Sequence, residues 1–194
     1  IRTSAVPDGN EYVLNGTKQW ITNGGEADIY TIIACTNRSK GARGFSAFIV
    51  EKGTEGFLFG KKENKMGIRA SDTHTLMFQD VKVPKSNRIG EDGFGFKFAM
   101  KTLEGGRIGI ASQALGIASG AYELALEYSK VRKAFNKEIS KHQIIQFKLA
   151  DMATRVEASR LLIEQAANKY DSGQRCDMEA GMAKLFGSEA GVEN

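Results

Sequence analysis

Val83-Pro84-Lys85-Ser86-Asn87-Arg88-Ile89-Gly90-Glu91-Asp92-Gly93-Phe94-Gly95-Phe96 is the stretch in which the sequence changes period. Before it, short runs rich in β-branched and aromatic residues alternate with turn residues. After Gly95 there is no proline, and apolar residues recur with the spacing of a helix. The boundary near residue 90 therefore predicts two parts: a β domain over 1–90 and a helical domain over 91–194. The predicted fold class is α+β, a small antiparallel β-barrel or sandwich followed by an incomplete up-down helical bundle.

On the N-terminal side, Asp8-Gly9-Asn10 is a turn ahead of Tyr12-Val13-Leu14. Asn15-Gly16 is the strongest hairpin signal in the chain and is expected to turn into a strand over 18–22. Asn23-Gly24-Gly25 closes that strand. Further strands are expected over 29–36, 45–51 and 73–83, with Gly53 and Gly56 as punctuation and Pro84 as a stop. In the last strand Thr75, Met77, Val81 and Val83 read as one face.

On the C-terminal side, residues 96–131 read as one long helix. Gly109, Ser112, Gly116 and Gly120 form a small-residue seam along which another helix can lie close. A second helix is expected over 141–172, with Ser140 as its cap, Gly173 as its stop and Leu149, Met152, Val156, Ile163, Ala166 and Tyr170 as its buried stripe. A third runs from Asp177. A partial bundle leaves apolar faces uncovered.

The chain has 194 residues, 27 Lys and Arg, 23 Asp and Glu, and a net charge of +4. The basic residues are dispersed and not interleaved with aromatics, which argues against nucleic-acid binding. No apolar run approaches the ~20 residues that cross a bilayer. Cys35 and Cys176 fit no ligand spacing, and His74 and His142 are the only histidines, so no metal site is predicted. Both ends read as cut within a longer chain.

Four constellations can carry chemistry. Trp20-Ile21-Thr22-Asn23-Gly24-Gly25 places an indole and a hydroxyl two residues apart on a strand, suited to a core anchor or to an aromatic cofactor. Met66 to Thr73 reads as a polar turn with an exposed Arg69. Gly93-Phe94-Gly95, leading to Leu103-Glu104-Gly105-Gly106-Arg107, lacks the strand and the third glycine of a dinucleotide loop. Two glycines inside a helix cost roughly 1 kcal/mol each relative to alanine, so something should need their space. Arg132-Lys133-Ala134-Phe135-Asn136-Lys137 and His142-Gln143 place cations at a helix end, favoured by its dipole and also able to grip a diphosphate.

In this order, these segments resemble the acyl-CoA dehydrogenase family over essentially the whole chain. The likeness is strongest to its short-chain (butyryl) branch, in Trp20-Ile21-Thr22-Asn23, Met66-Gly67-Ile68-Arg69, Gly106-Arg107-Ile108-Gly109-Ile110-Ala111 and Gln146-Phe147-Lys148-Leu149-Ala150-Asp151-Met152. The resemblance implies a three-part subunit, of which this chain holds most of the middle β domain and the first part of the C-terminal bundle. It implies FAD as cofactor, an acyl-CoA substrate, electron-transfer flavoprotein as partner, a homotetramer, and residence in bacterial cytoplasm or mitochondrial matrix. By it, Trp20, Ile21 and Thr22 lie against the flavin. Arg132, Phe135 and Gln143 bind the ADP half of FAD in a neighbouring subunit, with Ala134 lacking the family's threonine hydroxyl. Leu103, Glu104, Gly106, Arg107 and Ile110 lie along the acyl-CoA chain. No catalytic residue is expected here: the glutamate base is expected beyond Asn194, and the alternative position for it is Gly106. The 194 residues alone are thus expected to be inactive. The same fold also serves acyl-CoA oxidases and nitroalkane-oxidase-like enzymes, and a non-catalytic flavin-binding or assembly module is a further reading.

Overall fold

The computed structural model describes all of residues 1–194. The chain divides into two compact units, Ile1–Met100 and Lys101–Asn194. The first is a seven-stranded sheet built from β1 (Ser4–Asp8), β2 (Glu11–Thr22), β3 (Ile29–Cys35), β4 (Phe45–Glu51), β5 (Phe57–Lys62), β6 (Thr73–Pro84) and β7 (Arg88–Ile89). Their spatial order is β5-β6-β2-β1-β3-β4-β7. Every pairing is antiparallel except β1 with β3, which meet in parallel at Ser4 and Cys35. The α+β class stands, but the sheet is one open sheet: β5 and β7 form its edges and do not pair to close a barrel.

Its core is Leu14, Phe48, Leu76, Val81 and Val83, all at most 2% exposed, with Tyr30, Phe57 and Phe78 as an aromatic cluster. Phe57 stacks on Phe78 at 4.9 Å between centroids and meets Tyr30 edge-on at the same distance. Side chains of this size contribute roughly 1.5–3 kcal/mol each on burial, enough for this unit to carry its own core.

Two expectations for the sheet need correction. Asn15-Gly16 is not a hairpin turn. β2 runs straight through it, and the β1–β2 turn is Gly9-Asn10, between paired Asp8 and Glu11, with Gly9 at φ 54. The Asn15 amide, which would have served the local turn, is taken by Asp80: Nδ2 donates to Oδ1 and Oδ1 accepts from the Asp80 N–H, both at 2.9 Å. Gly16 is needed because a Cβ there would lie 2.8 Å from Thr3 Cα. In β6 the alternation slips. Leu76, Phe78, Val81 and Val83 are the buried set, and Thr75 and Met77 are only partly covered. Leu14 pairs with Val81 but Gly16 with Phe78, so β6 carries one extra residue there, with Asp80 at φ 51.

The second unit holds the rest of α1 (Gly95–Val131), a two-residue hairpin of β8 (Lys133–Ala134) and β9 (Lys137–Glu138), α2 (Gln143–Asp171) and α3 (Asp177–Glu193). No helix is long and apolar enough to cross a membrane. Its core is small: Ala111, Ala166 and Ala183 with Ile163, backed by Ile108, Leu115 and Leu162. Small residues let α3 approach α1. A Cβ on Gly187 or Gly191 would sit 3.4 and 3.2 Å from the Ala111 and Ala114 carbonyl oxygens.

That contact corrects the expected seam. Gly109, Ser112 and Gly116 face outward, and nothing lies within 4 Å of a Cβ on Gly109, Gly116 or Gly120. The face α3 uses is Ala111-Ala114-Ala118, one step round the helix. Leu103, Ile110, Ile117, Leu124 and Val131 repeat every seven residues along α1, and all five are exposed. Ser140 is not the cap of α2. It lies in a 3-10 turn (Ile139–Lys141), and His142 is the N-cap, without a side-chain capping bond. Tyr170, expected in the buried stripe, is exposed, though its hydroxyl would lie 3.2 Å from a Cβ on Gly105. That close approach accounts for Gly105, and nothing within the chain accounts for Gly106. Gly173, at φ 71, stops α2 as expected, its N–H bonding the Tyr170 carbonyl.

Candidate functional site

The site in the first unit is made by a bulge. On β2, Lys18 pairs with Leu76 and Ile21 with His74, so Gln19 and Trp20 together face Thr75 alone. Trp20 is left-handed, at φ 58, a conformation rare for a bulky side chain. Because side chains alternate along a strand, one extra residue exchanges the faces. Tyr12 and Leu14 point into the core, and unbroken alternation would send Trp20 and Thr22 in with them. Past the bulge it is Ile21 that packs on the core, while Trp20, 72% exposed, and Thr22 stand in solvent. The Thr22 hydroxyl makes no hydrogen bond within the chain, and the indole has no aromatic partner. A groove of about 380 Å³ runs beside Thr22, lined among others by Lys18, Ile21, Ile29 and Tyr30, and Trp20 is not part of its wall. Lys18 donates to the Ile33 carbonyl, and burial pushes its ammonium pKa down. An unstacked indole, an unpaired hydroxyl and a strained backbone holding both outward form a surface suited to a flat, partly polar aromatic ring.

The turn after the bulge is clamped. Tyr30 Oη donates to the Gly24 and Ala27 carbonyls at 3.0 and 2.6 Å, and Lys52 Nζ to the Gly25 carbonyl at 2.7 Å. The Asp72 carboxylate, 6% exposed, accepts from the Gly25 N–H at 2.8 Å. His74 Nδ1 lies 2.8 Å from the same oxygen, Oδ2. Oδ1 is buried, and the Lys62 ammonium 3.4 Å away is its one counter-charge. On sequence, Asp72 falls inside the Met66–Thr73 turn with no role of its own, His74 counts only as one of two histidines, and Lys62 is unmarked. The available signal was an acid in Ser71-Asp72-Thr73 immediately before a strand, where a carboxylate ends up among backbone N–H groups. The Met66–Thr73 segment itself is as expected: Arg69 is exposed, donating from Nε to the Lys65 carbonyl.

Among the carboxylates held below their usual range are Asp72, Asp92 and Glu179. Asp72 is held by the Gly25 N–H first, then by His74 and Lys62; Asp92 by the Ser46 hydroxyl first; Glu179 by its hydrogen bond from Lys169 first. A depressed folded-state pKa gives stability that is present above the unfolded value of about 4 and is lost as pH falls through the lower folded value. The melting temperature is therefore expected to lose these three contributions only below about pH 4. Thermal melts of Asp92→Asn against the parent at pH 6 and pH 3 check this: the gap between them should be narrower at pH 3 than at pH 6. A gap that persists unchanged would refute the assignment for Asp92.

In the second unit, Arg132 follows the end of α1, its guanidinium exposed and free of any ion pair. Its backbone is fixed, with the N–H on the Tyr128 carbonyl and the carbonyl accepting from the Ile139 N–H. Phe135 and Asn136, at φ 51 and 63, form the left-handed pair of a two-residue hairpin between β8 and β9. The cations expected at a helix end are thus carried on and around a β-hairpin. The hairpin pushes Phe135 out to 91% exposure, its ring edge-on to His142 at 6.0 Å. His142 Nε2 lies 3.1 Å from the Ala134 carbonyl oxygen, tying hairpin to helix. Gln143 opens α2 and is exposed. Arg132, Phe135 and Gln143 thus surround one short hairpin.

On α1, Leu103, Gly106 and Ile110 are exposed at helical spacing on one face, with Arg107 half-buried beside them. Glu104 turns elsewhere. Its charge, after burial itself, helps push the Cys176 thiol pKa up, and it also bears on Arg175.

Comparison with known proteins decides the family. Residues 1–81 match the acyl-CoA dehydrogenase middle domain, and residues 93–194 match the acyl-CoA dehydrogenase C-terminal domain. The chain belongs to the acyl-CoA dehydrogenase family. Within the family it is 54% identical over 185 residues to the short-chain specific acyl-CoA dehydrogenase of Megasphaera elsdenii, covering 95% of this chain and 48% of that protein. The solved butyryl-CoA dehydrogenase of that organism superposes with a TM-score of 0.92 at 53% identity, over 97% of this chain and 50% of the other. A chain in a structure concerned with the electron transferring flavoprotein of Acidaminococcus fermentans gives the same figures. The chain spans about half the length of the curated relatives it matches.

Proposed function

We propose that this chain supplies the ring-facing strand, a diphosphate-binding turn and part of the acyl pocket of an FAD-dependent dehydrogenase of short acyl-CoA thioesters. The reading divides the chain into a middle β domain over 1–90 and a bundle domain over 91–194. It is carried by one observation: the bulge that turns an unstacked indole and an unpaired hydroxyl out of the core together. The residues fit FAD: the indole offers a face to a planar ring, and an exposed, unpaired arginine offers charge to a diphosphate. Bound FAD supplies the acceptor for the β-hydrogen of the thioester as hydride.

The chain's own residues do the rest of what this segment contributes. Trp20 covers one side of the ring and keeps water from it. The Thr22 hydroxyl donates a hydrogen bond at the ring edge. Ile21, tied into the core, fixes the spacing of the two. Arg132 and Gln143 hold the ADP half in a neighbouring subunit of a homotetramer, with Phe135 packed beside it. Leu103, Gly106 and Ile110 offer an apolar strip to the acyl chain, with Glu104 and Arg107 at its margin. Removal of the α-proton needs a carboxylate beside that strip. Gly106 cannot supply one and Glu104 points away, so the base belongs to a glutamate outside this chain. Electrons leave to an electron-transfer flavoprotein.

Anaerobic addition of butyryl-CoA to the full-length protein is expected to bleach the long-wavelength flavin absorbance. Purification with flavin but no bleaching by any acyl-CoA would overturn the substrate class. Purification without flavin, and no uptake on adding FAD, would overturn the cofactor.

A further inference from the structure

The bulge needs something to hold it, because the unbulged register would bury more apolar surface through Trp20. Within the turn, the N–H groups of Gly24, Glu26 and Ala27 bond to carbonyls of Ile21 and Asn23. The two remaining ones, of Asn23 and Gly25, both go to Asp72: to its backbone carbonyl at 2.9 Å and to Oδ2 at 2.8 Å. His74 is the residue paired with Ile21, the first one past the slip. Its side chain fills the space under the turn. A Cβ on Gly24 would lie 2.9 Å from His74 Cβ, and one on Gly25 2.7 Å from Cε1. The same imidazole reaches back to Oδ2 of Asp72.

We propose that Asp72, acting with His74, is a positioning pair that locks the bulged register of β2 and so sets where the Trp20 indole and the Thr22 hydroxyl are presented. The inference rests on the flavin-facing reading for its consequence, but not for the lock itself. A one-residue slip would require Asn23 and Gly25 to leave Asp72 and would put Ile21 out and Trp20 in. A carboxylate suits the position because Oδ2 accepts from both the Gly25 N–H and the imidazole while Oδ1 faces the Lys62 ammonium, where an amide would set an NH2 donor against that cation. The other groups facing the turn are Lys62 from β5, Lys52 at the end of β4, Tyr30 from β3 and the turn's own Glu26 and Asp28. Lys52 and Tyr30 serve turn carbonyls, so none of these groups replaces Asp72 as acceptor.

The test uses the full-length protein with three readouts: hydrogen exchange of the segment 20–26, the FAD dissociation constant, and the visible circular dichroism of bound flavin. Asp72→Asn is expected to speed exchange at the Asn23 and Gly25 amides and to weaken FAD, each about tenfold, with an altered flavin dichroism band. Asn15→Ala is the control, since it breaks the Asn15–Asp80 clasp at the other bulge of the β2–β6 ladder, the one carried by β6. It should lower the melting temperature while leaving all three readouts at parent values. His74→Asn, which keeps a side-chain N–H donor, should stay nearer the parent than His74→Leu, and this comparison carries the test if Asp72→Asn does not fold. Parent-like exchange and dichroism in Asp72→Asn, or equal loss in the Asn15→Ala control, would overturn the proposal. If the parent holds no FAD, the flavin reading falls, and the exchange comparison still decides the lock.

Discussion

Gly95→Ala should lower the stability of the first unit by about 3 kcal/mol or more, among the largest effects of any single methyl added to this chain. A Cβ at Gly95 would lie 2.5 Å from the Ser46 carbonyl carbon and 2.8 Å from the Ala47 nitrogen. Both are backbone atoms of β4, a strand paired on both sides by β3 and β7. Neither can swing aside as the end of a side chain would. The neighbourhood is further pinned by Ser46, whose hydroxyl donates to Asp92 at 2.6 Å and accepts from the Gly93 N–H at 3.0 Å. Gly93-Phe94-Gly95, which lacks the features of a dinucleotide loop, is therefore a packing device that seats the start of α1 against β4. For a unit of this size the loss corresponds to a fall in melting temperature on the order of 10 °C or more. Gly109→Ala is the matched contrast: it lies on the same helix with nothing within 4 Å, so it should be neutral or gain roughly 0.5–1 kcal/mol. Thermal denaturation of the two variants side by side checks this, and a Gly95→Ala protein melting with the parent would show that β4 yields.

Arg132→Ala should reverse that pattern, with little change in the fold and a large change in cofactor retention. The backbone of Arg132 is bonded at both ends, but its guanidinium pairs with nothing in the chain, so truncation should cost within about 0.5 kcal/mol of stability. A charged hydrogen bond to a phosphate is worth about 1.5–3 kcal/mol, which predicts FAD weakened by roughly ten- to a hundredfold. Arg132→Lys, keeping charge without the planar fork, should fall between. Flavin content of the full-length protein after gel filtration, and direct titration, measure this. Unchanged retention in Arg132→Ala would remove Arg132 from the site.

The parts of this structure that were legible beforehand are those in which local chemistry meets no distant competitor. The strand over 45–51, the long helix ending at Val131 and the stop at Gly173 are of this kind. Asn15-Gly16 misleads because its turn-forming amide is claimed by Asp80, 65 residues on. The glycine seam misleads because α3 selects the alanine face, and that choice belongs to Gly187 and Gly191 rather than to α1. At the site, Trp20 and Thr22 can be picked out as a pair, but nothing local in Lys18-Gln19-Trp20 announces a bulge. The extra residue exists only relative to the register of β6. Asp72 and His74 were missed for the same reason, since their partners lie across the sheet.

Trp20 is the only tryptophan in this chain, and it stands in water. Its fluorescence should accordingly emit at the long-wavelength, fully hydrated limit and be readily quenched by dissolved acrylamide. A planar molecule settling on it would shift that emission to the blue, and one absorbing where indole emits would extinguish it by energy transfer. The residue that the bulge turns outward is thus also a built-in optical gauge of whatever comes to rest there.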